Sequence, residues 1–95
     1  MKNNIILVFD KATTRLAGNP YGKSVYKEQV EGKLDLENKN VIIFPDNIVK
    51  VASSFTQGLF SEIISLLGYS GVEEIIEIEA GTEKLKQDIY NDLYY

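Results

Sequence analysis

Residues 40–68 read NVIIFPDNIVKVASSFTQGLFSEIISLLG, and this stretch decides the fold. Residues 40–45 form a short, almost wholly apolar run rich in β-branched side chains, the pattern of a strand covered on both faces. Pro45-Asp46-Asn47 then supplies turn chemistry. Ser54 reads as a helix N-cap, because Gln57 stands three positions on and completes an S-x-x-Q capping box. The helix predicted over residues 54–67 stops at Gly68, the usual left-handed C′ residue. A strand and turn that deliver two serines to a helix N-terminus form a device for presenting a hydroxyl to a partner. No catalytic machinery stands beside it in the sequence.

The flanking segments extend the same alternation of strand and helix. Residues 5–9 are a continuous apolar strand bounded by Asp10. Asn19 and Pro20 read as an N-cap and a first helical residue, where a missing N–H costs nothing. The helix they start runs to about Gly32, with Val25, Tyr26 and Val30 facing inward, and a polar loop over 33–39 leads back to the central block. In helix 54–67 the apolar arc is Phe55, Leu59, Phe60, Ile63, Ile64, Leu66 and Leu67. Ser54, Ser61, Glu62 and Ser65 form its narrow polar stripe, with Gly58 among them. Over residues 72–80 the acids Glu77 and Glu79 alternate with Ile76, Ile78 and Ala80, as in a strand with one wet face near a sheet edge. A last helix starts near Thr82 and repeats Leu85, Ile89 and Leu93 at fourfold spacing, with Tyr90, Tyr94 and Tyr95 crowded at its end.

Three β-α units predict an α/β fold: one small domain over 1–95, a three- to four-stranded mixed or parallel sheet, and helices mainly on one face. Strands 5–9 and 41–45 are expected to be central and 73–79 nearer an edge.

The 95 residues are enough to bury a core without covalent staples. The chain has no cysteine and no histidine. The first absence removes disulfides and thiolate metal sites; the second removes the commonest general base near neutral pH and the commonest transition-metal ligand. The amino-terminal NIILVF reads as a strand rather than a signal peptide, and no apolar run reaches the length of a membrane span. A cytoplasmic protein is the expectation. The net charge of −4 is uneven: residues 1–61 carry eight Lys/Arg against six Asp/Glu, and residues 62–95 carry two against eight. An acidic carboxyl-terminal third repels phosphate backbones and disfavours nucleic acid; a basic protein partner, or simply a solvated acidic face, accounts for it better.

The block 42–68 resembles the STAS-like domains and, more distantly, the STAS domains of anti-sigma factor antagonists. Those proteins carry a strand, a turn and a D-S-S-G-type motif that begins a helix; the matching residues here are Ala52-Ser53-Ser54-Phe55. The resemblance covers roughly residues 18–93. It implies a non-enzymatic module that docks a protein through the start of helix 54–67, with Ser53 as the phosphoacceptor of a GHKL-type ATPase/kinase partner. Ala52 stands where the motif has aspartate and Phe55 where it has glycine, which leaves open an inhibitor or interaction protein, from a phage or mobile element, that reuses the fold without phosphorylation.

Other chemistry has thinner support. Asp10 and Asp46 both end strands at the edge where α/β ligand sites form, and two carboxylates there could hold magnesium in a small nucleotide-binding or phosphotransfer protein. Turn formation is the better account of both aspartates, and Ala12 occupies the place where a phosphatase-like D-x-D pair has its second acid. Gly18 and Gly22 form no phosphate-loop pattern. No cofactor or metal site is expected. Gly58, in the polar stripe, is expected to be exposed and to let another chain approach closely. The expected contact surface comprises Ser53, Thr56, Gln57, Gly58 and Ser61, rimmed by Asp46 and Asn47.

Overall fold

Lys39–Ile43 (β3) is the middle strand of a parallel sheet. Lys2–Ile6 (β1) lies on one side of it and Ile76–Glu79 (β5) on the other. The computed structural model describes residues 1–94. A second, two-stranded parallel ribbon joins Arg15–Leu16 (β2) to Lys50–Val51 (β4). The helices are Asn19–Val25 (α1), prolonged by a π turn over Tyr26–Val30 and a 3-10 turn over Glu31–Lys33, then Ser53–Ile75 (α2) and Glu83–Tyr94 (α3).

Alternation decides which face of the sheet is covered. Ile5, Leu7, Ile42, Phe44, Ile76 and Ile78 are buried and join one core with Val25, Val30, Phe55, Leu59, Phe60, Ile63 and Ile89. Each such side chain contributes about 1.5–3 kcal/mol through removal from water. The opposite face carries Asn4, Ile6, Ile43, Glu77 and Glu79, with Ile6 57% exposed. There Lys2 on β1 reaches across to Glu77 on β5 (2.9 Å), over the intervening Val41.

Three expectations about strands change. Residues 5–9 are not central: β1 ends at Ile6, pairs only with β3, and is prolonged by a bond from the Leu7 N–H to the Ile43 carbonyl (3.0 Å). Its run is apolar throughout, yet only Ile5 and Leu7 are fully buried; Phe9 packs at the margin of the core, and Val8 is 69% exposed. The side chain of Gln29 finishes this edge by accepting from Val8 N–H (2.7 Å) and donating to its carbonyl (2.8 Å). Residues 72–75 are helical, not extended. Gly68 does interrupt the helix with a positive φ (72°) that suits glycine, but its ψ of 168° is extended rather than that of a left-handed helix end. The chain resumes helix at once and carries Val72 into the core before β5 begins. The middle strand itself runs 39–43 rather than 40–45, with Phe44 still bonded to Glu79.

At the foot of β3, Asn40 is fully buried and organises the preceding loop. Its side-chain oxygen accepts from Asp35 N–H and from Asn3 Nδ2 (both 2.8 Å), and its Nδ2 donates to the Asp35 carbonyl (2.7 Å). Asp35 in turn accepts from Asn38 and from Glu37 N–H, which hold its carboxyl below the usual range. The last helix starts beside Thr82 as expected, and Thr82 caps it by accepting from Leu85 N–H (3.1 Å); Leu85, Ile89 and Leu93 are all buried. Tyr90 donates no strand of its own but closes one: its hydroxyl accepts the outward Ile78 N–H at the free edge of β5 (2.8 Å). Tyr95 lies outside the described residues.

Candidate functional site

The two serines have separate duties. Helix α2 begins at Ser53, with Ala52 in the N-cap position and no side-chain cap, so Ser54 and Gln57 form no capping box. Ser54 Oγ instead accepts the N–H of Gly18 (3.0 Å), the residue at the N-cap of α1, whose φ of 101° suits glycine. The cap of α1 is therefore Gly18, one residue before Asn19. Ser54 fastens the start of α1 to the start of α2, which leaves Ser53 exposed on the first turn.

Gly58 is the main correction. It is buried, not exposed: a Cβ there would lie within 3.0 Å of the Asn19 backbone, and one on Gly22 would come within 2.7 Å of Leu59 N. The stripe of small residues on α2 is the seat of α1. Thr56 is also buried, with its hydroxyl unpartnered among the described residues, so it belongs to the interior rather than to a contact surface. Asn47 donates from Nδ2 to the Thr13 carbonyl (2.8 Å), which braces one loop against another. Leu66, expected inside, is 62% exposed near the break at Gly68.

What remains accessible on α2 is a row at fourfold spacing: Ser53 and Gln57 are exposed and Ser61 is half-buried. This row borders two cavities against α3. The first, about 550 Å³, is bounded by Lys50, Ala52 and Ser53 on one side and by Lys84, Asp88 and Asp92 on the other. The second, about 410 Å³, has Gln57, Ser61 and Ile64 facing Tyr69, Asp92 and Tyr94. Asp92 lines both. Lys84 pairs with Asp88 one turn on (3.1 Å). Asp92 has no ion pair or hydrogen bond among the described residues, and burial, with the charge of Asp88, raises its pKa.

Asp46 is exposed in the turn closed by Ile48 N–H and the Pro45 carbonyl. Asp10 serves its own turn, its carboxylate accepting from Ala12 N–H (2.8 Å) and its carbonyl from Thr13 N–H. Among the described residues no three carboxylate, imidazole or thiol side chains come together, and no helix is long and apolar enough to cross a membrane.

The expected contact surface thus divides: Ser53 and Gln57 are exposed and Ser61 is half-buried, whereas Thr56 and Gly58 lie inside, and the residues of α3 that face this row were not part of it. The signal that could have separated Gly58 from the row is shared spacing: Gly18-x-x-x-Gly22 and Ser54-x-x-x-Gly58 are both small residues one turn apart. No family model, curated protein or solved structure matches the chain.

Proposed function

We propose that the chain is a non-enzymatic, STAS-like docking module and that its partner is a protein seated along the groove between α2 and α3. The observation that carries this reading is the row Ser53–Gln57–Ser61. Ser53 and Gln57 are exposed, Ser61 is half-buried and also faces Lys23 and Lys27, and the three border two cavities that share Asp92. The reading needs no catalytic step, in keeping with a sequence that has neither histidine nor cysteine.

Ser53, the position matching the phosphorylated serine of the antagonists, begins α2 and lines the first cavity with Lys50 and Lys84. A phosphate there would meet free helix N–H groups, Lys50 and the Asp88-paired Lys84, and would be repelled by Asp88 and Asp92 across the same cavity. Phosphorylation by a GHKL-type kinase would then alter docking. Ala52 and the buried Phe55 depart from the motif and support the alternative in which docking is constitutive. Capture from the native host, followed by mass spectrometry, tests both. Wild type should retain a defined partner and a folded Gln57→Arg variant should lose it. Ser53→Asp should weaken capture only if the switch operates. Equal capture by wild type and Gln57→Arg would remove the groove from consideration.

A further inference from the structure

The second cavity holds a combination that selects one kind of ligand. Asp92 is the carboxylate in its lining, half-buried and without a counter-ion among the described residues. Tyr69 and Tyr94 stand beside it with ring centroids 6.3 Å apart and planes inclined at 53°. Tyr90 stacks behind Tyr94 at 6.4 Å, nearly parallel, which steadies the inner ring. Gln57 and Ser61 also line the cavity and carry an amide carbonyl and a hydroxyl oxygen as acceptors, the hydroxyl donating its own proton to the Gly58 carbonyl (3.2 Å).

A carboxylate partly withdrawn from water without a partner is destabilised, and a cation that arrives with hydrogen bonds for it offsets that penalty. Here burial already raises the Asp92 pKa, the mark of a carboxylate lacking compensation. An ammonium group would satisfy the charge alone. A guanidinium does more: its fork of N–H donors matches a carboxylate, its flat face stacks on tyrosine, and donors remain for Gln57 and Ser61.

We propose that this cavity receives an arginine side chain of the partner protein, with Asp92 as its counter-ion and Tyr69 and Tyr94 as the walls against which it stacks. The inference rests on the docking reading above and specifies the chemistry of the partner. It also gives a use to the acidic charge of the carboxyl-terminal third, which favours approach by a basic surface.

The test is a ¹H–¹⁵N NMR titration of the full chain with N-acetyl-arginine amide, N-acetyl-lysine amide and the neutral isostere N-acetyl-citrulline amide. The arginine probe should give saturable shifts at the amides of Tyr69, Asp92 and Tyr94. The lysine probe should bind at least about fivefold more weakly, having no planar face to stack, and the citrulline probe should give no saturable shift there. Asp92→Asn, nearly isosteric, should keep the folded spectrum and lose the arginine response, whereas Glu28→Gln, on the π turn, should retain it. Equal response to arginine and citrulline, unaltered binding by Asp92→Asn, or no saturable shift at these amides would overturn the inference. The two readings fail separately. An absent probe response, with partner capture still sensitive to Gln57→Arg, overturns the arginine site alone. Partner capture unaffected by Gln57→Arg, with the probe response intact, overturns the docking reading alone.

Discussion

Gly22 and Gly58 meet where α1 crosses α2, so closely that a Cβ on Gly22 would lie 3.1 Å from the carbonyl carbon of Gly58. Backbone, not side chain, forms this contact. The exposed face of α2 follows from it, because α1 occupies the small-residue side and leaves Ser53 and Gln57 to the α3 side, with Ser61 at the boundary between the two.

The first prediction concerns that crossing. Gly58→Ala normally strengthens a helix by up to about 1 kcal/mol, but here the methyl group would strike the Asn19 backbone. Overpacking against backbone costs about 1–3 kcal/mol. Urea unfolding should therefore show Gly58→Ala and Gly22→Ala to be net destabilised, each lowering the midpoint with little change in slope. A rise in stability for Gly58→Ala would mean that the helices do not approach so closely.

The adjacent serines should separate in a melting experiment. Ser54→Ala strands the Gly18 N–H, which Ser54 Oγ accepts at 3.0 Å, and should cost about 1 kcal/mol. Ser53→Ala touches an exposed hydroxyl and should stay within about 0.5 kcal/mol of wild type. Equal effects would contradict the division of roles.

Much of this arrangement is legible in the sequence, and the exceptions have physical causes. Alternation of Ile76 and Ile78 with Glu77 and Glu79 identifies a strand with one buried and one wet face, because period-2 patterning reports directly on the two faces. Leu85, Ile89 and Leu93 do the same for one side of a helix, and the positive φ at Gly68 follows from the one residue that tolerates it. The position of β1 is not legible, because Ile6 and Val8 are apolar yet face water; hydrophobicity alone does not report strand order. The helix over 72–75 escapes because burial of Val72 overrides the strand preference of β-branched residues. Gly58 escapes because a single helix pattern cannot say which neighbour lies over its small residues. The α3 wall of the groove escapes because Asp92 and Gln57 are brought together only by tertiary packing.

Asn40 offers a test of the sheet's foot. Asn40→Ala leaves the Asp35 backbone N–H and carbonyl without their buried partner and should cost about 2–3 kcal/mol. Hydrogen exchange should accelerate over 33–40 in particular. A variant as stable as wild type would mean that water replaces this side chain without penalty.

Asp92 supplies a pH dependence of defined sign. Its pKa is raised in the folded chain by burial and by Asp88, so folding favours the protonated form. The charged form opposes folding at neutral pH, and that opposition is relieved as pH falls through the raised value towards the unfolded aspartate range of about 3.9. Asp92→Asn should raise Tm at pH 7, by less than about 1 kcal/mol in stability because the group is partly solvated. The gain should shrink on acidification. A lower Tm at pH 7 would reveal a partner for the carboxylate.

Docking along the α2–α3 groove is best tested by photo-crosslinking in the native host, with p-benzoylphenylalanine replacing Gln57, Ser61 or the exposed Leu36 on the loop before β3. A single defined protein should become attached from positions 57 and 61 and not from position 36. Attachment of that protein from position 36 with equal yield, or from neither 57 nor 61, would contradict the assignment of this groove.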